Sequence, residues 1–307
     1  MTPIADDNTR ALEPLMTSRA SDDESTVGVN NAANEKPVVV IEPGKSASLV
    51  RIRDLWAHRE LLYFLIWRDI KVRYKQTLMG VVWVVAQPLL TTVVFTLLFG
   101  VLARVPSEGL PYPVFAFAGL LPWTFFAAGV TRSGDSLVGS SHLITKVYFP
   151  RIIIPCAAVG AGLLDFAISF GVLAGLIALY RVPLTTSLLM LPPLVLLVTL
   201  FTLGMGMLLS AWNVKYRDIR HLIPFLLQIW MFASPVIYPP TFVPQKWRWV
   251  LKLNPMTGII DGFRAAIFGG KTFDWLSLAT STAVALVLLV YAAYSFRRME
   301  RSFADVI

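Results

Sequence analysis

The sequence predicts an all-α integral membrane protein: six transmembrane helices, an N-terminal amphipathic interface helix, and re-entrant outer helices between spans five and six. Three observations carry this. The 307 residues are 56% hydrophobic and 15% charged, against roughly 25% charged in average soluble domains. The charges cluster, which leaves apolar runs long enough to cross a hydrocarbon core of about 30 Å as helices of about 20 residues. Short basic segments then alternate with these runs.

Residues 1–46 hold eight acids and four bases, with no hydrophobic periodicity. They read as a disordered acidic tail. They lack the apolar centre of a signal peptide, so no cleaved leader is expected. The whole chain carries +8 and the tail −4, which leaves 8 + 4 = +12 on the rest. That balance suits anionic lipid. Nucleic acid fits less well, because the bases flank the spans and form no single stripe.

Residues 51–77 follow as an amphipathic segment. At 100° per residue Leu55, Leu62, Tyr63, Ile66, Ile70 and Tyr74 share one arc, while Arg53, Glu60, Arg68, Lys71 and Lys75 lie roughly opposite. Phe64 and Arg73 break the pattern. An apolar face with aromatics and a basic polar face fit a helix lying in the membrane interface; a soluble helix packed on a partner is the alternative.

The transmembrane domain is expected over 79–299, with spans at about 79–103, 112–130, 152–179, 188–211, 222–238 and 275–296. Pro88 sits inside the first span, which membrane helices tolerate. Gly160 with Gly162, Gly171 with Gly175, and Gly204 with Gly206 read as close-packing positions. Pro155, Pro192-Pro193, Pro224 and Pro235 mark kinks or span ends. Between spans two and three lies a polar island, Thr131 to Arg151. A second basic loop, Trp212 to His221, precedes span five. Lys and Arg gather on the side of the island, which places both termini in the cytoplasm. The basic residues of the last outer loop, Lys246, Arg248, Lys252, Arg264 and Lys271, are the one conflict.

The stretch Pro239–Asp274 interleaves aromatics with helix breakers. Leu253–Phe268 is apolar but short and broken, and is read as two short helices dipping into the outer leaflet, with the aromatics at the interface; an ordinary external loop is the alternative.

Few residues point to bond-making chemistry. Asp165 is the acid deepest inside a span. At roughly 2.5–3.5 kcal/mol for insertion at mid-helix, it must face the bundle interior or a wet pathway, as a packing residue or as part of the substrate path. Ala265–Thr272 fits a loose phosphate-binding loop, but an apolar helix-like stretch precedes it where a strand is required. Cys156 stands alone in an apolar run, and His58, His142 and His221 have no metal-ligand spacing. No metal and no bound cofactor are expected. An intramembrane enzyme would need paired acids, or His with acid, at the membrane face.

The motifs together resemble a family. Leu143-Ile144-Thr145-Lys146-Val147-Tyr148-Phe149-Pro150-Arg151 is similar to the loop after span two in membrane subunits of bacterial polysaccharide ABC exporters. Tyr63 through Lys75 resembles their interface helix, Gly80 through Gln87-Pro88 the start of their first span, and Asn213 through Ile219 their second cytoplasmic loop. Ser234 through Tyr238 and Asn254-Pro255-Met256 resemble their outer re-entrant region. The likeness runs from about residue 55 to 300 and points to ABC type-2 permeases for O-antigen, capsule or teichoic acid.

That resemblance implies an inner-membrane homodimer that works with two separate ATP-binding cassette subunits, which hold ATP-Mg. The permease itself would be no enzyme. The cargo would be a polysaccharide, such as lipid-linked O-antigen or a similar surface glycan. An exporter of a small lipid or drug is the alternative on the same architecture. Ser141, Leu143, Ile144, Lys146, Tyr148 and Phe149 would couple to the ATPase. Phe242, Trp247, Trp249, Asn254 and Pro255 would form an outer gate.

Overall fold

The computed structural model describes residues 56–75, 80–146, 149–183, 185–268 and 270–300. The acidic tail, Tyr148, and the final residues expected of no span lie outside them. Among the described residues every regular element is helical. In chain order these are α1 (Arg59–Lys75), α2 (Gly80–Phe95, continued by a π-helical segment Thr96–Leu102), α3 (Tyr112–Gly139), α4 (Ser141–Lys146), α5 (Ile153–Leu179), α6 (Leu191–Lys215), α7 (Ile219–Ala233), α8 (Arg248–Leu253), α9 (Pro255–Ile267) and α10 (Trp275–Glu300).

Five of the described helical stretches are long and apolar enough to cross a membrane: Val82–Leu102, Tyr112–Gly139, Ile153–Leu179, Thr186–Lys215 and Trp275–Glu300. The remaining expected span is the shorter α7, with 15 residues. Its early end has a local cause. Ser234 precedes Pro235, and proline drives the residue before it out of the helical region. Ser234 is extended, at φ −106° and ψ 148°. Residues 234–238, expected inside span five, therefore leave the helix and present their carbonyls sideways.

Antiparallel connections give the bundle two ends. One collects the C-termini of α3, α6 and α10 and the N-termini of α5 and α7, and is basic. The other is proline-rich and carries the 103–111 loop and residues 234–274. α3 is the central post: 78% of its apolar stretch is buried inside the chain, against 6% for Val82–Leu102. The first span thus turns its surface outward, to lipid or to a partner.

Two helices run further than their hydrophobicity predicts. α3 continues through the polar Thr131–Gly139, and α6 continues to Lys215 through the expected loop. The two extensions hold each other. Asn213 Nδ2 donates to the Gly134 carbonyl at 3.0 Å and to Asp135 Oδ1 at 3.2 Å. A Cβ on Gly206 would meet Ser133, and one on Gly129 would meet Thr202. Small and amide-bearing residues on facing helices let backbones approach without hydrocarbon between them.

The glycine pairs separate into two kinds. Gly160 is covered by Ile66, Gly204 by the α10 backbone at Leu289, and Gly206 by Ser133. Gly171 and Gly175 face open space, so the close-packing expectation fails for that pair. The tightest approach is Gly258 of α9, where a methyl group would overlap the Ser277 carbonyl and the Ser281 hydroxyl of α10. Gly258→Ala is expected to cost about 1–3 kcal/mol by overpacking, and Gly171→Ala to be neutral or better. Thermal unfolding of the two purified variants compares them; equal unfolding temperatures would contradict the packing described here.

Candidate functional site

Three clusters of polar side chains stand out, one at each end of the bundle and one between them.

At the basic end α4 forms a single short helix. Ile144 and Phe149 are buried among Leu65, Leu137, Ile152 and Phe296, and Leu143 packs on the same cluster. Ser141 is half-buried, while His142, Thr145 and Lys146 face outward. The expected coupling residues thus divide into an anchoring set and an outward set. The anchor is continued by Arg151, whose backbone N–H donates to Glu300 Oε1 at 3.0 Å and whose guanidinium donates to the Glu300 carbonyl at 2.7 Å. Beside α4, the turn into α7 exposes Lys215, Tyr216, Arg217 and His221, and Arg220 pairs with Asp135 at 3.2 Å.

Between the ends, Asp165 of α5 gathers three donors. Arg73 and Tyr74 come from the last turn of α1, and Arg132 from α3. The Arg132 contact measures 2.8 Å. Asp165 therefore faces protein, and α1 is oriented by it. The α1 residues turned inward include Leu61, Leu65, Ile66, Ile70 and Arg73, with Leu65 the most buried, whereas Tyr63 of the expected apolar arc is 69% exposed. Arg73, which broke the sequence pattern, lies on the packed face because its partner is there. Burial, and then the hydrogen bond to Asp165, push the Tyr74 phenol up to about 12, so it remains a donor throughout the physiological range.

At the proline-rich end, α8 and α9 form a short helical hairpin. Asn254 caps α9 by accepting from the Met256 N–H at 3.1 Å, with Pro255 as the first helical residue. The same Asn254 oxygen accepts from Trp230 Nε1 at 3.1 Å, and its amide donates to Ser234 Oγ at 2.8 Å. Trp230 packs edge-on against Phe126 and Phe201, which stack at 5.0 Å. Asn254 thus ties the hairpin to α7 and, through Trp230, to the aromatic core. Phe242, Trp247 and Trp249 project outward, each more than half exposed.

All thirteen residues of α9 are buried, so this helix is enclosed by protein. Among them is Arg264. Its side chain is fully buried. It donates to the carbonyls of Pro235 at 2.7 Å and Val236 at 2.6 Å, and its guanidinium lies 3.7 Å from the centre of the Phe115 ring. Those carbonyls are the ones released by the break after α7. Gly119 of α3 leaves the room: a Cβ there would stand 2.5 Å from the Val236 oxygen and 2.6 Å from Arg264 Nη2. Arg264 is therefore no outer-loop charge. Neither is Lys271, which pairs with Asp261 and, at 2.8 Å, with Glu108. Lys252 pairs with Asp274 at 3.2 Å. Burial pulls the Asp274 carboxyl up, but the Ser277 hydroxyl and N–H and Lys252 outweigh it and hold it below the usual carboxylate range.

The loose phosphate-loop match fails in place, since Ala265–Ile267 are helical and Lys271 serves the two carboxylates. Among the described residues no group of three or more His, Cys, Asp or Glu gathers as a metal site.

Residues 60–268 match the model of the ABC-2 type transporter. The chain belongs to that family. It is a multi-pass membrane permease and not an enzyme, and ATP hydrolysis resides in a separate subunit. It is 33% identical to the O-antigen export system permease protein RfbA of Myxococcus xanthus, over 83% of this chain and 98% of that one. It is 28% identical to the RfbA permease of Klebsiella pneumoniae, over 81% and 95%. The polysialic acid transport protein KpsM of Escherichia coli is 22% identical, over 76% and 92%.

Sequence reasoning missed Arg264, Gly119, Trp230 and the partners of Asp165. Pro235 was the available signal, because a proline break frees carbonyls that need donors. Arg264→Met keeps the bulk but orphans two buried carbonyls, at about 1–3 kcal/mol each. A loss on the order of 2–6 kcal/mol is expected in chemical denaturation, and Gly119→Ala should approach it by displacing the guanidinium. Wild-type stability in both variants would contradict the assignment.

Proposed function

We propose that this permease forms, as a dimer with a second copy of itself, the membrane channel of an ABC exporter that moves a polysaccharide out of the cytoplasm. A lipid-linked O-antigen or similar surface glycan is the cargo. The carrying observation is the end-to-end similarity to two O-antigen export permeases, each matched over more than four-fifths of this chain.

Two ATPase subunits, which bind ATP-Mg, dock at the basic end, and both termini lie on that cytoplasmic side. The excess of Lys and Arg in the short loops at that end favours this orientation. Coupling passes through α4. Its outward residues His142, Thr145 and Lys146 meet the ATPase, while Leu143, Ile144 and Phe149 transmit the push into α3, α5 and α10. α1 rides in the membrane interface with Trp67 and Phe64 turned outward, and the Asp165 cluster couples it to α3 and α5. The hairpin α8–α9 is the outer gate. Asn254 and Pro255 set its geometry, and Phe242, Trp247 and Trp249 offer flat faces over which a sugar chain slides without locking.

Deleting the chain is expected to abolish surface polysaccharide and leave the polymer inside the cell, and plasmid-borne copies should restore it. Unchanged surface polysaccharide with accumulation of a small lipid would instead favour the lipid exporter. Thr145→Glu with Lys146→Glu is expected to lower co-purification of the ATPase about tenfold without lowering permease yield. Full retention of the partner would overturn the docking face.

A further inference from the structure

Beside the hairpin, at the proline-rich end, lies a cleft of about 270 Å³. Six charged residues line it: Glu108, Asp261 and Asp274 against Arg248, Lys252 and Lys271. The signs cancel, and the pairing is specific. Lys271 bridges Glu108 and Asp261, Lys252 holds Asp274, and Arg248 donates to the carbonyls of Val243 and Thr241 at 2.9 Å each. Glu108 is brought to the cleft by a left-handed turn, with φ 56° at Glu108 and 86° at Gly109, which a non-glycine residue adopts uncommonly.

This lining selects by elimination. An anion finds each cation already matched by a carboxylate or by carbonyls. A metal cation finds the Lys271 ammonium between the two nearest acids. An apolar ligand would strip water from charged groups with nothing in return. What remains is a neutral ligand rich in groups that both donate and accept. The cleft offers such partners: the second carboxylate oxygens of Glu108 and Asp261, and the hydroxyls of Thr241 and Thr272. Thr257 also lines it, with a hydroxyl that is buried and has no partner. The volume is just under the range of about 300–1,000 Å³ typical of small-molecule sites, which fits one ring and not a chain segment. Phe242, Trp247 and Trp249, next in sequence to Thr241 and Arg248, are exposed at more than half their surface.

We infer that this cleft is a subsite for a single neutral sugar unit, which holds the glycan as it leaves the gate; the inference rests on the polysaccharide reading of the transporter. Sugar hydroxyls satisfy the paired charges without adding any, and such a site grips a unit weakly enough to release it. The hairpin residues that line it belong to α8 and α9, so occupancy bears directly on the gate.

Saturation-transfer NMR on the purified full-length permease, with the methyl glycosides of glucose, galactose, mannose and rhamnose as probes, tests it. At least one probe is expected to bind. Thr272→Trp, at an exposed position on the cleft, is expected to reduce that signal about tenfold, and Thr145→Trp at the opposite end to leave it intact. Thr241→Trp serves if Thr272→Trp does not fold. Binding that survives both cleft variants overturns the subsite. Absence of binding by every probe overturns it too, even where deletion of the chain still abolishes surface polysaccharide. Unchanged surface polysaccharide on deletion of the chain, with cleft-dependent sugar binding intact, overturns the export reading and leaves the subsite standing.

Discussion

A guanidinium buried without a carboxylate in contact is costly unless something else receives its protons. In this permease backbone carbonyls receive the protons of the two terminal nitrogens, and they are free to do so because a helix is broken. Pro235 ends α7 early, the released carbonyls of Pro235 and Val236 turn inward, and Arg264 fills the space that Gly119 leaves on α3. Break, arginine and glycine form one unit, and each of the three is unfavourable without the others. The unit explains how a 13-residue helix too short to cross a membrane remains fully enclosed. The hairpin is held by specific polar contacts to α3 and α7, and its apolar surface is covered by α10 and α6.

The two ends of the molecule use charge differently. At the proline-rich end Arg248, Lys252, Arg264 and Lys271 are engaged within the fold, by carboxylates or by carbonyls. At the basic end Lys146, Lys215 and Arg217 stand exposed, available to a partner. Between them one carboxylate, Asp165, binds α1, α3 and α5 together. An acid at that depth with two arginines and a phenol is a joint that fixes α1 against α3 and α5.

Much of this was legible in the sequence because hydrocarbon imposes a simple rule. Runs of apolar residues located the five helices long and apolar enough to cross a membrane, and the break noted at Asn254-Pro255 falls at the start of α9, where Asn254 is the cap. The failures share a cause. Thr131–Gly139 looked like a loop because it is polar, yet it is helical, since Ser133, Gly134 and Asp135 face α6 or its amide side chains and not lipid. Hydropathy reports where lipid would be tolerated; it does not report where a helix ends. Arg73 looked like a break in the pattern, and Arg264 like an outer-loop charge, because their partners lie 92 and 28–29 residues away. Pairings at that separation leave no periodicity. α4 shows the intermediate case: its outward and inward residues are those of one helical turn, but which face is inward depends on Leu65 and Phe296, which no local pattern names.

In the proposed mechanism the channel is pushed at one end and closed at the other, and Arg264, which holds α9 to the break after α7, would pin the closed end. The most direct measurement is the accessibility of α9 from outside the cell. Ile260 is fully buried, so Ile260→Cys, in a Cys156→Ser background, should resist a membrane-impermeant maleimide in resting transporters and become reactive when Arg264→Met is added. Rapid labelling of Ile260→Cys with Arg264 intact would contradict the account.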